Sequence, residues 1–148
     1  MTLYDLIQKI EDIAIAQPSI QMIVENDAYR LNEIADARYA VFAFTQGVHT
    51  SSADNDFMTF NFTLFYIDRL SDDGRNQINV QSVGIQTLDN ILATLEEEGI
   101  HVGDYSVQPF TQKFIDMCAG VYTTVGLIVP KSVICAEPFI KTTDKVIV

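Results

Sequence analysis

The chain has 148 residues, 48% of them apolar and 10% aromatic, enough for one packed core and too apolar for a disordered segment. Twenty acidic against nine basic residues leave a net charge of −11, the wrong sign for a surface that neutralises nucleic-acid phosphates or docks on anionic lipid. No apolar run approaches the roughly 20 residues of a membrane span, and the start Met-Thr-Leu-Tyr-Asp has no basic or apolar signal region, so no membrane association and synthesis in the cytoplasm are expected.

The first element is an amphipathic helix. Thr2 suits its N-cap, Asp5 sits near the positive end of the dipole, and Leu3, Leu6, Ile7, Ile10, Ile13 and Ala14 recur at three-to-four spacing. Pro18 limits it to about residue 16. Residues 20–25 alternate as a short strand, and residues 28–37 fit either a helical turn or a looping connection. The strongest β signal follows in residues 38–45 and 57–68. In the second run Met58, Phe60, Phe62, Leu64 and Tyr66 share one face, and Thr59, Asn61, Thr63, Phe65 and Ile67 share the other, the pattern of a strand with one buried and one partly wet side. The two runs form a long antiparallel hairpin whose connector, residues 46–56, exceeds the length of a tight turn and is therefore functional or mobile.

Ser71-Asp72-Asp73-Gly74 opens the second helix, with the paired aspartates as capping groups. Ile78, Ile85, Leu88, Ile91, Leu92 and Leu95 make its core stripe and Gly99 stops it. Glu96, Glu97 and Glu98 crowd the negative end of the dipole, so something must accommodate them. Two further strands close the domain: residues 104–110, ending near Pro109, and residues 120–129, ended by Pro130. The fold class is α+β, an antiparallel sheet of two hairpins packed with two helices. Residues 1–130 form the domain, and residues 131–148 form an extended C-terminal arm whose apolar finish, Lys-Val-Ile-Val, suits strand addition to a sheet edge, its own or a neighbour's.

Charge is unevenly spread. Residues 50–104 carry ten carboxylates against Arg69 and Arg75, a net of −8, whereas residues 105–148 carry Lys113, Lys131, Lys141 and Lys145 against Asp116, Glu137 and Asp144, a net of +1. Head-to-tail contact between copies can use such an asymmetry.

Catalytic and metal-binding patterns are sparse. No phosphate-cradling glycine motif and no GxSxG elbow occur. His49 and His101 lie in different segments, outside any zinc-ligand spacing. The loop holding His49, Ser51, Ser52, Asp54 and Asp56 has triad residue types, but one loop cannot hold triad geometry. Its Asp54-x-Asp56 pair lacks the glycine and glutamate of a calcium loop. Cys118 and Cys135 sit in apolar surroundings and read as buried free thiols. Two carboxylates meeting in a cleft are the remaining route to chemistry. The expectation is no enzyme, no catalytic, metal or cofactor site and no cofactor. The alternative is a small-ligand or regulatory binding module in which the Phe-rich hairpin lines a pocket.

The closing run from Tyr105 to Pro130, Tyr-Ser-Val-Gln-Pro-Phe-Thr-Gln-Lys-Phe-Ile-Asp-Met-Cys-Ala-Gly-Val-Tyr-Thr-Thr-Val-Gly-Leu-Ile-Val-Pro, resembles the end of small proteins from the tail-assembly regions of Bacteroides phages, including ring proteins of the crAss-like group. Together with the order of elements over residues 1–130, the chain is similar to the tail-terminator and neck (tail-completion) proteins of tailed bacteriophages; in residue identity the likeness is specific to Pro109–Pro130. The resemblance implies a tail-terminator-like fold (α-β-β-β-α-β-β). It also implies a homo-oligomeric ring of about six or twelve copies in the virion neck or tail. Its neighbours would be portal, neck or tail proteins, and DNA would pass through the lumen without specific binding.

Overall fold

A computed structural model describes residues 1–34, 36–51, 53 and 56–131. Beyond Lys131, the expected C-terminal arm and Cys135 lie outside the described residues, as do Ser52, Asp54 and Asn55. The fold is mixed α+β, with two α-helices and a seven-stranded sheet among the described residues. In chain order the elements are α1 (Leu3–Ile15), β1 (Met22–Val24), a 3-10 helix (Ala28–Glu33), β2 (Val41–Gln46), β3 (Thr50–Ser51), β4 (Phe57–Arg69), α2 (Gln77–Glu97), β5 (His101–Val102), β6 (Val107–Lys113) and β7 (Met117–Pro130).

Helix α1 forms where its sequence demands it. The Thr2 hydroxyl accepts from the Asp5 amide and the Asp5 carboxylate accepts from the Thr2 amide, both at 3.1 Å, so two orphan donors of the first turn are satisfied reciprocally. Hydrogen bonds from Thr2 hold the Asp5 carboxyl below its ordinary range. Leu6, Ile10, Ile13 and Ala14 are buried.

Helix α2 begins later than its sequence suggests. Residues 72–76 are turn and bend, and the N-cap is Asn76, whose side chain serves the Arg69 carbonyl and the Ser71 amide instead of the helix. Asp73 accepts from the Ser71 hydroxyl and the Arg75 amide within that turn, so Asp72-Asp73 is not the helix cap. The buried stripe is Val80, Gly84, Thr87, Leu88, Ile91, Leu92 and Leu95, while Ile78 is 80% and Ile85 46% exposed. The cause is Gly84. A Cβ there would lie 2.7 Å from Tyr66 Cδ1 and 2.8 Å from Val121 Cγ2, so the backbone of α2 rests on the sheet at this residue and turns Ile78 and Ile85 outward. The helix stops as expected: Gly99, at φ +90°, donates to the Glu96 carbonyl and Ile100 to the Leu95 carbonyl, the paired bonds of a glycine C-terminal motif.

The sheet runs β1-β2-β4-β7-β5, with β3 on β4 and β6 on β7. Its centre is the antiparallel β4–β7 ribbon, in register from Phe57 opposite Pro130 to Arg69 opposite Cys118. The sheet is not purely antiparallel, because β1 pairs parallel to β2 (Met22 opposite Val41) across the connection that holds the 3-10 helix. Pro109 does not end its strand: β6 continues to Lys113, and Pro109 pairs with Val121. Because β6 pairs only with β7 among the described strands, it is an edge, where a residue without an amide proton is tolerated.

Strand alternation sends Phe42, Phe44, Phe60, Phe62, Leu64, Tyr66, Val121, Val125, Leu127 and Val129 into one core with Leu6, Ile10, Leu88, Ile91 and Leu95 of the helices. On the opposite face a smaller cluster joins Val41, Ala43, Ile67 and Cys118 to Ala28 and Leu31 of the 3-10 helix and to Phe114. Ile67, expected on a wet face, is therefore fully buried.

Candidate functional site

Of the residues singled out for chemistry, His49, His101 and Cys118 each have structural partners among the described residues. The His49 Nδ1 accepts from the Asn61 amide at 3.2 Å, so the ring proton is on Nε2, which lies 3.0 Å from the Gln46 Oε1. Its ring packs edgewise on Phe60. The Gly47 amide donates to the Asn61 carbonyl and the Asn61 side chain donates to the Val48 carbonyl, so residues 46–51 are pinned to β4 as an interruption between β2 and β3. His101 stands elsewhere, 3.4 Å from a Glu96 carboxylate oxygen. Among the described residues no group of three or more His, Cys, Asp or Glu side chains could hold a metal ion. Cys118 is a free, buried thiol. Burial first, with Asp116 and Asp68 adding to it, pushes it above its ordinary range, and a protonated buried thiol is a poor nucleophile.

The three glutamates at the end of α2 are partly accommodated within the chain. Glu96 accepts from the Val102 amide at 2.6 Å, and Glu98 pairs with Lys9 of α1 at 3.0 Å. Of the other acids in this stretch, Asp89 accepts from the Tyr105 hydroxyl.

Two features remain. The first is the sheet face turned away from the helices. Past the part covered by the 3-10 helix it carries Thr45 of β2, Thr59, Asn61, Thr63 and Phe65 of β4, Gln108, Phe110 and Gln112 of β6, and Tyr122, Thr124, Gly126 and Ile128 of β7. None of these side chains is charged, in a chain of net charge −11; the ionisable residues in register on the same face stand at its margins, His101 opposite Ile128 and Arg69 opposite Cys118. The hydroxyls of Thr63 and Thr124 bond across the ribbon at 3.1 Å. At one end Phe65, Phe110 and Tyr122 stack with ring centroids 5.8–6.3 Å apart. With Ala28, Tyr29 and Phe114 they line a depression of about 180 Å³, below the ~300 Å³ at which small-molecule sites begin and sized for a single side chain. Of the phenylalanines of the β2–β4 pair, Phe42, Phe44, Phe60 and Phe62 are buried in the core, while Phe65 lines this depression.

The second feature is a cleft of about 570 Å³ between α1, β1 and the 3-10 helix, lined by Glu11, Ile23, Val24, Glu25, Arg30, Glu33 and Ile34. Two carboxyl groups, Glu11 and Glu25, line this cleft together, and the Glu11 Oε1 is buried without a hydrogen-bond partner among the described residues. Burial first, with the neighbouring Glu25 and then the charge of Asp12 adding to it, pushes the Glu11 carboxyl up to about 8. The Arg30 guanidinium donates to the Glu25 carbonyl oxygen at 2.9 Å and forms no ion pair with either carboxylate among the described residues. Sequence reasoning missed both acids. The available signal was position: Glu11 lies four residues after Ile7 and three before Ala14, on the flank of the apolar stripe.

The chain matches no protein-family model and no curated protein.

Proposed function

We propose that this chain is a structural subunit of a bacteriophage neck or tail ring, assembling with copies of itself to join head or portal to tail and to form part of the DNA channel. The observation that carries the reading is the uncharged outer face of the sheet. Identical copies of net charge −11 repel one another, so surface without charge is the least costly for them to bury against each other. Thr63, Thr124, Tyr122 and their neighbours offer such a surface, with the aromatic depression at its end as a seat for one side chain of the neighbour. The acidic balance also suits a wall past which DNA slides without being gripped. Counting β3 with β2 and β5 with β6 as interrupted strands, the order of elements reads α-β-β-β-α-β-β, two antiparallel hairpins with two helices. That order and the Tyr105–Pro130 run are what support a tail-terminator-like arrangement.

Size-exclusion chromatography with light scattering tests it. A discrete oligomer of about six or twelve copies is expected, reduced to monomers by Thr124→Glu, which sets like charges against each other on the outer face. A wild-type chain that stays monomeric at every concentration, or an oligomer indifferent to Thr124→Glu, would count against this assignment.

A further inference from the structure

We propose that the exposed flank of α2 carrying Ile78 and Ile85 meets the uncharged sheet face of the next copy, so that subunits join head to tail with Ile78 seated in the aromatic depression. The inference rests on the ring assembly proposed above and names the second of the two surfaces that such an assembly needs. A surface helix ordinarily turns charged residues to solvent. Helix α2 does not. From Asn76 to Leu88 no residue is charged, and between Arg75 and Glu96 the one charge is Asp89, whose carboxylate accepts from the Tyr105 hydroxyl. The exposed positions of this stretch are Asn79, Ser82 and Gln86 together with the apolar Ile78, Val83 and Ile85. Ile78, at 80% exposure, projects furthest, and Ile85 follows it two turns along the same side of the helix.

The two surfaces cannot meet within one subunit. Gln81, three residues from Ile78 and four from Ile85, donates to the Phe110 carbonyl at 3.3 Å, which places this flank of α2 beside the edge strand β6. The Phe110 ring leaves that strand on the other side of the sheet, toward Phe65 and Tyr122 in the depression. The sheet therefore stands between the projecting isoleucines and the hollow. In kind they match: an aliphatic side chain against an aromatic-lined hollow of about 180 Å³, uncharged surface against uncharged surface in a chain of net charge −11. A contact between two different patches is heterologous, and it passes from copy to copy until the rotation closes a ring. Pairing α2 with α2 about a two-fold axis would leave the depression empty and end at a dimer.

The test is complementation, read by light scattering on three proteins: wild type, a helix variant with Ile78→Glu and Ile85→Glu, and the sheet variant Thr124→Glu. Each variant alone should be monomeric. Mixed in equal amounts they should form a one-to-one dimer that grows no further, because the intact sheet face of the first takes the intact helix of the second and no other sound contact remains. An oligomer that survives in the helix variant would overturn the proposal and leave the ring reading standing. So would a sheet variant that dimerises alone, which means α2 meets α2, or a mixture that stays monomeric at the highest concentration reached. A monomeric wild type would remove the ring reading itself. All three sites are exposed, and circular dichroism checks that each variant folds; Ile78→Glu alone replaces the double variant should that one not fold.

Discussion

On the helix side of β4, Phe60, Phe62, Leu64 and Tyr66 are at most 5% exposed. The residues between them, Thr59, Asn61, Thr63 and Phe65, are half-buried and uncharged. One strand thus presents two surfaces with different physics. The inner one is closed by helices α1 and α2, and its phenylalanines and leucines contribute stability through removal from water and close packing. Among the described residues the outer one is closed only at one end, by the 3-10 helix and Phe114, and elsewhere offers hydroxyls, an amide and an aromatic edge. The lesson is that absence of charge, more than hydrophobicity, marks the second surface, and that is why the proposed contact between acidic subunits is placed there.

Four substitutions break or sharpen that contrast. Phe62→Ala should cost the most, about 3–5 kcal/mol, because the ring is fully buried beneath the helices; chemical denaturation measures it. Gly84→Val should cost about 1–3 kcal/mol in the same experiment, since its side chain would be driven into Tyr66 and Val121; an unchanged midpoint would mean α2 does not rest on the sheet there. Phe65→Ala, on the outer face, should cost about 1–2 kcal/mol, less than Phe62→Ala because the ring is only half-buried and loses its contacts with Phe110 and Tyr122. Thr124→Glu should change the stability of the subunit by about 0.5 kcal/mol or less, since Thr124 is exposed, while abolishing the proposed oligomer. The ordering matters as much as the magnitudes: if Thr124→Glu destabilised the subunit as much as Phe65→Ala, the outer face would belong to the core.

The parts legible in the sequence are those decided within one or two turns of chain. The Thr2 N-cap, the α1 stripe, the glycine stop at Gly99 and the two-residue alternation of β4 and β7 all depend on neighbours close in sequence, and the fold keeps each of them. Tertiary contact decided the rest. Ile78 and Ile85 belong to the periodic pattern of α2, yet Gly84 lets the helix approach the sheet on another face and leaves them outside. Residues 20–25 announce a strand, but only the connection through the 3-10 helix makes β1 parallel to β2. Pro109 ends a strand by local rule, yet it survives inside β6 because an edge strand need not donate from that position. Glu11 and Glu25, fourteen residues apart, line one cleft because α1 packs beside β1. Backbone conformation answers to local sterics and hydrogen bonding, whereas the face a side chain presents, and the charge it meets there, depend on which distant element arrives against it.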